Sequence, residues 1–142
     1  MRLIPPYCYS DRKRIFGQFA YVSAPTPQCP EAIRIIDGWS EENIVQVDGV
    51  GGFHRLAAQQ LTELLQKWRQ AGHLSLIDTW GEAWSPRYIH GSKHILSPHT
   101  WGIAFDILAH GALNELAVGA ASLGFYCSPR PWGMHFEVNT LL

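Results

Sequence analysis

The chain has 142 residues with a formal net charge of -1, and 46% of its residues are hydrophobic while 16% are charged. This length suits one domain, and this composition supplies a core and excludes an intrinsically disordered chain. Because the sequence has no basic run, and no apolar run near the roughly 20 residues that span a bilayer, we expect neither nucleic-acid binding nor membrane insertion.

The first half of the chain predicts short strands followed by one amphipathic helix. We expect residues 1–15 to be an N-terminal extension. Short apolar and β-branched runs then predict extended segments at 16–22, 32–36 and 43–47. The glycine-rich run 48–52 predicts a loop. Over 53–70 the apolar residues recur at helical spacing along one stripe, and Gly72 is placed as a stop signal.

The second half predicts three strands, a long loop and a second helix. The strands are expected at 74–77, 103–108 and 134–138. The polar run 81–98 predicts a long loop, a kind of segment that is often functional in a compact domain. Apolar spacing predicts a helix over 113–123. Strands interspersed with helices predict one α+β domain over 1–142, with a central antiparallel sheet and helices packed on it.

The three cysteines predict neither a disulfide framework nor a thiolate metal site. Cys8, Cys29 and Cys127 are odd in number, lie far apart and form no Cys-x-x-Cys pair. We interpret Cys127 as a buried and inert thiol.

The segment 97–106 is the most informative for chemistry. His99 and Asp106 offer a nitrogen and an oxygen ligand seven residues apart, and Gly102 allows the chain to turn between them. Because side chains alternate along a strand, Asp106 would share a face with Ala104, while Phe105 would face the core. A carboxylate on an otherwise apolar strand suggests a specific role rather than simple solvent exposure.

A second segment, 131–138, places His135 and Glu137 on one face of a strand. Two imidazoles and a carboxylate suit zinc, and three protein ligands leave a fourth position for a water whose pKa then falls to about 7. By spacing alone, an alternative stays open in which His99 caps a loop, Asp106 caps a helix and His135 is an unrelated residue of the strand.

The octapeptide His-Thr-Trp-Gly-Ile-Ala-Phe-Asp at 99–106 resembles the His-x-x-Gly-x-Ala-x-Asp motif of the M15 zinc peptidases. That family includes D-alanyl-D-alanine carboxypeptidases, dipeptidases and L-alanyl-D-glutamate endopeptidases such as phage endolysins. The segment 133–137 resembles its C-terminal segment with the third ligand, and weaker similarity covers most of the chain. The resemblance implies a hedgehog/DD-peptidase-like fold and one zinc ion held by His99, Asp106 and His135. It also implies hydrolysis of an amide bond in peptidoglycan stem peptides through a zinc-bound hydroxide.

The same resemblance implies residues that bind substrate. A basic residue in the loop before the motif is thought to hold a substrate carboxylate in that family, and Arg87 takes this position here. The planar guanidinium pairs with a carboxylate at two points. Ser92 would assist by hydrogen bonding, and Ser97 would brace the turn of the motif. The alternative for Arg87 is a surface side chain that bonds loop carbonyls.

One departure from the family concerns proton transfer. The family usually carries an acid three residues before the last histidine ligand, where this chain has Trp132, and an indole is a donor that cannot act as a base. We therefore expect Glu137 to be the catalytic residue, or else to orient a histidine ligand. Asp78 and Glu82 are further candidates.

Two functions follow from these alternatives. The first is a monomeric peptidase that acts on the cell wall, and the second is a catalytically degenerate zinc-containing module that binds cell-wall peptide. A vestigial component of a particle is a third, weaker option. Since residues 1–14 lack the apolar stretch of a secretory signal, we expect synthesis in the cytoplasm and action on the wall after release or export.

Overall fold

Four antiparallel strands form the main sheet of this protein, whose computed structural model describes residues 4–142. In those residues the helices are α1 (Tyr9–Phe16), α2 (Trp39–Asn43), α3 (Ala58–Gln70) and α4 (Leu113–Ser122). The strands are β1 (Tyr21–Ser23), β2 (Ile33–Ile35), β3 (Ile44–Val47), β4 (Gly51–His54), β5 (Ile77–Trp80), β6 (Ala104–Ala109), β7 (Phe125–Arg130) and β8 (Gly133–Val138). Short 3-10 helices lie at Leu74–Leu76 and Pro98–Trp101. The predicted α+β class with antiparallel sheets is confirmed.

The main sheet has the order β5-β6-β8-β7 and separates the core from the face that carries the polar residues. Phe105 and Phe136 are register partners on the core face, and their rings stack at 4.9 Å with an interplanar angle of 8°. Trp68 of α3 packs edge-on against Phe136 at 5.5 Å. Alternation along β6 and β8 then turns Asp106 and His135 toward the opposite face.

The two remaining sheets are hairpins, β1 with β2 and β3 with β4. In β4, Phe53 is fully buried, and the His54 amide donates to the carbonyl of Gly102 at 2.7 Å. This hydrogen bond joins the β3–β4 hairpin to the turn that follows His99.

The helix predicted over 53–70 begins later than expected. Its first residues belong to β4, where Phe53 pairs with Val45 and His54 pairs with Ile44, and α3 starts only at Ala58. The glycine-rich segment predicted as a loop over 48–52 likewise ends inside β4. A backbone ladder with β3 therefore outweighs the helical spacing of the first apolar residues.

Three further segments differ from the sequence prediction. The strand predicted over 16–22 is mostly helix end and connection, because Phe16 closes α1 and β1 begins at Tyr21. The strand predicted over 74–77 is a 3-10 helix up to Leu76, with the Leu76 amide donating to the His73 carbonyl at 3.0 Å. Strand β7 was not predicted at all.

The described part of the N-terminal segment packs on the domain, since α1 ends with Phe16 at 2% exposure in the core. The cysteines are free thiols, and burial raises the pKa of Cys127 to about 11. Within residues 4–142, no helix has the length and apolar character needed to traverse a lipid bilayer.

Candidate metal centre

His99 stands on the 3-10 helix Pro98–Trp101, which is fixed at both ends. The Ser97 hydroxyl accepts a hydrogen bond from the His99 amide at 3.2 Å, which confirms that Ser97 braces this turn. Gly102 closes the turn with φ of +68°, and a Cβ there would lie 2.7 Å from the Ile44 side chain and 3.0 Å from the His54 amide nitrogen. Only glycine fits both the backbone conformation and the space.

The ring of His99 is held in one orientation. Its Nδ1 lies 2.7 Å from the carbonyl oxygen of Ala83, so Nδ1 carries the proton and donates it to that oxygen. Nε2 is therefore the nitrogen that keeps a lone pair when the ring is neutral, and it lies 3.2 Å from Oδ2 of Asp106. The hydrogen bond to Ala83 would orient His99 for coordination through Nε2.

Asp106 and His135 face each other across the sheet. They are register partners on β6 and β8, and Oδ1 of Asp106 lies 2.8 Å from Nδ1 of His135. Each carboxylate oxygen thus contacts one imidazole. The three residues are 2–9% exposed, and one ligand atom from each lies within 4.8 Å of the others.

The charge state of Asp106 follows from these contacts. Burial alone would raise its pKa, but the rings of His135 and His99, which donate hydrogen bonds to it when they are protonated, outweigh that effect and lower the pKa to about 2. For His135, burial opposes the charged ring, while hydrogen bonds with Asp106 and Glu137 raise the pKa. Asp106 is therefore an ionised carboxylate at neutral pH, the form that binds a cation.

Glu137 lies on the other side of His135. Its Oε1 is 3.0 Å from Nε2 of His135, while its Oε2 is buried and has no hydrogen-bond partner. With Nε2–H donated to Glu137, Nδ1 of His135 is the nitrogen that a metal would take once it gives up the proton shared with Asp106. This contact fits the orienting role of Glu137, and a catalytic role for Glu137 stays a prediction.

The donor set fits zinc in identity and in spacing. Ligands at the usual zinc distances stand about 3.3 Å apart in a tetrahedron. The Asp106 oxygens already lie 3.2 Å from His99 Nε2 and 2.8 Å from His135 Nδ1. The arrangement could hold one ion with small adjustments, and both histidines have a fixed partner on the nitrogen that faces away.

A cleft of about 520 Å³ opens over this cluster. Arg87 lies in it at 8% exposure, with Nε donating to Oε2 of Glu82 at 2.9 Å and Nη1 to the Tyr88 carbonyl at 3.1 Å. The Glu82 carbonyl accepts a hydrogen bond from the amide of Asp106 at 2.9 Å, which ties the loop to β6. The structure thus brings Arg87 and Glu82 to the cleft over His99, Asp106 and His135.

Other predicted residues are placed elsewhere. The Ser92 hydroxyl accepts the amides of His94 and Ile95 within its own turn, and Ser92 does not line the cleft. Asp78 pairs with His110 at 2.9 Å, away from the cleft lining.

The cleft wall also contains Trp132, which the sequence analysis singled out, and two arginines that sequence reasoning overlooked. Trp132 lies at the turn between β7 and β8 with 52% exposure, and Arg130 ends β7 beside it. Arg12 reaches the same cleft from α1. Strand alternation would have indicated Arg130 if β7 had been predicted. Arg12 reaches the cleft because α1 packs against residues distant in sequence, and no local sequence pattern indicates that packing.

Comparisons with protein-family profiles, with curated proteins and with solved structures give no match. The likeness to zinc peptidases therefore rests on the motif at 99–106 and the segment 133–137, together with the geometry of the residues that they carry.

Proposed function

We propose that this protein is a zinc-dependent peptidase that cleaves an amide bond in peptidoglycan stem peptides. The observation that carries the proposal is the buried cluster of His99, Asp106 and His135 at the floor of an open cleft. A catalytic metal needs ligands that are held in one orientation and a cleft that gives substrate access to the ion. Hydrogen bonds on the histidine nitrogens that face away from the cluster supply the first, and the open cleft supplies the second. The motif resemblance supplies the substrate class.

Zinc would be held by Nε2 of His99, a carboxylate oxygen of Asp106 and Nδ1 of His135. When bound, it would supply Lewis-acid polarisation of the amide carbonyl and acidify a coordinated water. Arg87 is positioned to fix a substrate carboxylate with the donors that Glu82 and Tyr88 leave free.

Proton transfer is assigned to Glu82. Besides the ligand Asp106, only Glu82 and Glu137 contribute carboxylates to the cleft lining among residues 4–142. Glu137 is engaged with His135, while Glu82 is 42% exposed and uses one oxygen to accept from Arg87. Its second oxygen can take a proton and pass it to the leaving amine. Glu137 is the alternative base.

The test is hydrolysis by the zinc-loaded chain. We expect it to release peptide products from purified muropeptides, detected by mass spectrometry, and to stop when zinc is chelated. A folded chain that holds one zinc ion and releases no product from carboxypeptidase, endopeptidase or cross-bridge substrates would overturn the proposal.

A degenerate module that binds cell-wall peptide is the second candidate, and Trp132 favours it. An exposed indole occupies the cleft position where the resembled family carries its acid. Trp132→Asp supplies that acid at the hairpin turn, and Trp132→Asn is the matched uncharged control. Activity that appears only in the Asp variant would establish this candidate, while an active natural chain whose rate neither variant changes would exclude it.

A further inference from the structure

Two arginines of the described cleft lining lack a carboxylate partner. This lining contains three arginines (Arg12, Arg87 and Arg130) and three carboxylates (Glu82, Asp106 and Glu137), but Asp106 and Glu137 contact histidines. Arg87 is paired with Glu82 at 2.9 Å. Arg12 and Arg130 have no carboxylate within 4.0 Å among residues 4–142.

Arg12 is held in place although no acid pairs with it. Its Nε donates to the Tyr7 carbonyl at 3.2 Å and its Nη1 to the Leu96 carbonyl at 3.4 Å. The guanidinium also lies 5.9 Å from the ring centre of Tyr9 and 5.8 Å from that of Trp101. Two of the five N–H donors of the guanidinium are used, so three remain for an anion.

Helix α1 packs against the turn that carries His99, and this packing fixes where Arg12 enters the cleft. Tyr9 packs edge-on against Trp101 at 5.8 Å, and the indole of Trp101 donates to the Gly17 carbonyl at 3.0 Å. Trp101 belongs to the same 3-10 helix as His99. Arg12 is therefore fixed relative to the ligand turn rather than carried on a free N-terminal segment.

Arg130 reaches the same cleft from the end of β7. On β7, Ser128 is the register partner of His135, and Arg130 lies two residues further on the same face. Its side chain is exposed at the cleft wall. Arg130 is therefore a diagonal neighbour of His135, about 7–8 Å away, so it adjoins the metal cluster without belonging to it.

We propose that Arg12 and Arg130 form an anion subsite that binds a carboxylate of an acidic peptide next to the metal centre. The peptide nature of this ligand rests on the proposed function. A guanidinium with several free donors pairs with a carboxylate at two points, so the subsite distinguishes a peptide acid from its amide. Arg87 is paired with Glu82, so the carboxylate that Arg87 would fix in the proposed peptidase is a different one.

The experiment compares two peptides by isothermal titration calorimetry. The probes are acetyl-Ala-Glu-Lys-Ala with free carboxylates and acetyl-Ala-Gln-Lys-Ala-amide, each titrated into the zinc-loaded chain and into the chelated chain, which does not turn them over. We expect the acidic peptide to bind at least about tenfold more tightly, because hydrogen bonds to charged groups are worth that much. The acidic peptide should also bind more tightly than the amide peptide to the chelated chain. Inorganic phosphate should bind less tightly than the acidic peptide.

Variants then assign the preference to residues. Arg12→Met and Arg130→Met should each reduce it several-fold, while Arg14→Met, on the exposed side of α1 and paired with Asp11, should leave it unchanged. A thermal melt would reveal whether loss of the Arg12 hydrogen bonds unfolds α1. In that case Arg130→Met alone tests the subsite. Equal affinity for the two peptides, or an equal effect of Arg14→Met, would overturn the subsite.

The outcomes separate this inference from the peptidase. Acid preference without hydrolysis of any peptide would support the subsite and overturn the proposed function. Hydrolysis of both peptides with equal affinity would support the proposed function and overturn the subsite.

Discussion

The floor and the rim of the cleft are built differently. On the floor, His99, Asp106 and His135 are 2–9% exposed, and packed strands and a capped turn hold them. On the rim, Glu82 is 42% exposed on a loop and Trp132 is 52% exposed at a hairpin turn. Under the proposed function, metal binding would depend on core architecture, whereas proton transfer would depend on exposed residues. The two properties should be separable by mutation.

The largest effect is expected for a substitution on the floor of the cleft. Asp106→Ala removes the carboxylate that contacts both imidazoles. Removal of a residue that only orients a metal ligand lowers metal affinity by roughly 10–100-fold, so zinc affinity should fall by more than that. Peptidase activity should disappear with it. Zinc content after dialysis and competition with a chromogenic chelator measure the change.

Asp78→Ala is the matched control, because Asp78 is an exposed aspartate that pairs with a histidine outside the cleft. It should keep zinc affinity and activity. A variant Asp106→Ala that retained zinc as tightly as the Asp78 variant would show that the ligand set is misassigned.

The second prediction separates floor from rim with two isosteric changes. Glu82→Gln should lower kcat by about 10²–10⁴-fold and leave zinc affinity unchanged, because general acid–base help is lost. Glu137→Gln should weaken zinc binding by about tenfold, because it weakens the hydrogen bond that orients His135. Steady-state kinetics at saturating zinc and zinc titrations measure the two effects.

Rescue sharpens this comparison. In the Glu82→Gln background, Trp132→Asp should recover at least about tenfold in kcat by supplying a new acid, whereas Trp132→Asn should not. The reverse pattern, in which Glu137→Gln loses kcat at full zinc occupancy and Glu82→Gln does not, would move the proton-transfer role to Glu137.

The third prediction concerns the turn that supports the floor. Gly102→Ala puts an alanine in a left-handed backbone conformation and its Cβ 2.7 Å from the Ile44 side chain. The free energy of unfolding should therefore fall by about 3 kcal/mol. Gly91→Ala has φ of +80° but nothing within 4 Å of its added Cβ, so it should lose only about 1 kcal/mol. Urea denaturation of the chelated chain measures both, and equal losses would remove the packing argument.

The last prediction concerns the pH dependence of stability that the buried His54 causes. Burial lowers the pKa of His54 to about 4, and the neutral ring accepts from the Leu56 amide while donating to the Phe16 carbonyl. Because the unfolded chain takes up this proton near pH 6.5, His54 contributes stability above that pH and loses it as the pH falls toward 4.

His54→Gln isolates this contribution, since other acid-sensitive groups are common to both chains. The stability advantage of the natural chain over the variant should shrink by about 2 kcal/mol between pH 7 and pH 4.5 in the chelated state. Urea denaturation at the two pH values measures it. An advantage independent of pH would mean that the buried ring is protonated in the folded protein.

The juxtaposition of His99, Asp106 and His135 was predictable from the sequence, while much of what supports these side chains was not. The motif at 99–106 and the alternation around His135 indicated it because spacing within one strand or turn is local. The partners that fix these side chains, Ala83 and Glu137, differ in this respect. Glu137 follows from alternation along β8, whereas Ala83 is 16 residues from His99 and reaches it only through packing.

The missed strands have physical causes as well. Strand β4 opens with Gly51 and Gly52, a pattern typical of loops, but a Cβ at Gly52 would lie 3.0 Å from the Ile44 side chain, so close packing selects the glycine. Strand β7 contains Pro129, which an edge strand tolerates because one side of its backbone has no ladder partner. Arg12 and Arg130 were missed with α1 and β7.

X-ray absorption of the zinc-loaded chain, combined with its metal content, tests the central claim most directly. The account predicts one zinc ion per chain with only nitrogen and oxygen neighbours at about 2.0–2.1 Å and the outer-shell scattering of two imidazoles. A chain that retains no zinc after dialysis, or a spectrum with sulfur ligands or a single imidazole, would contradict the assignment of His99, Asp106 and His135.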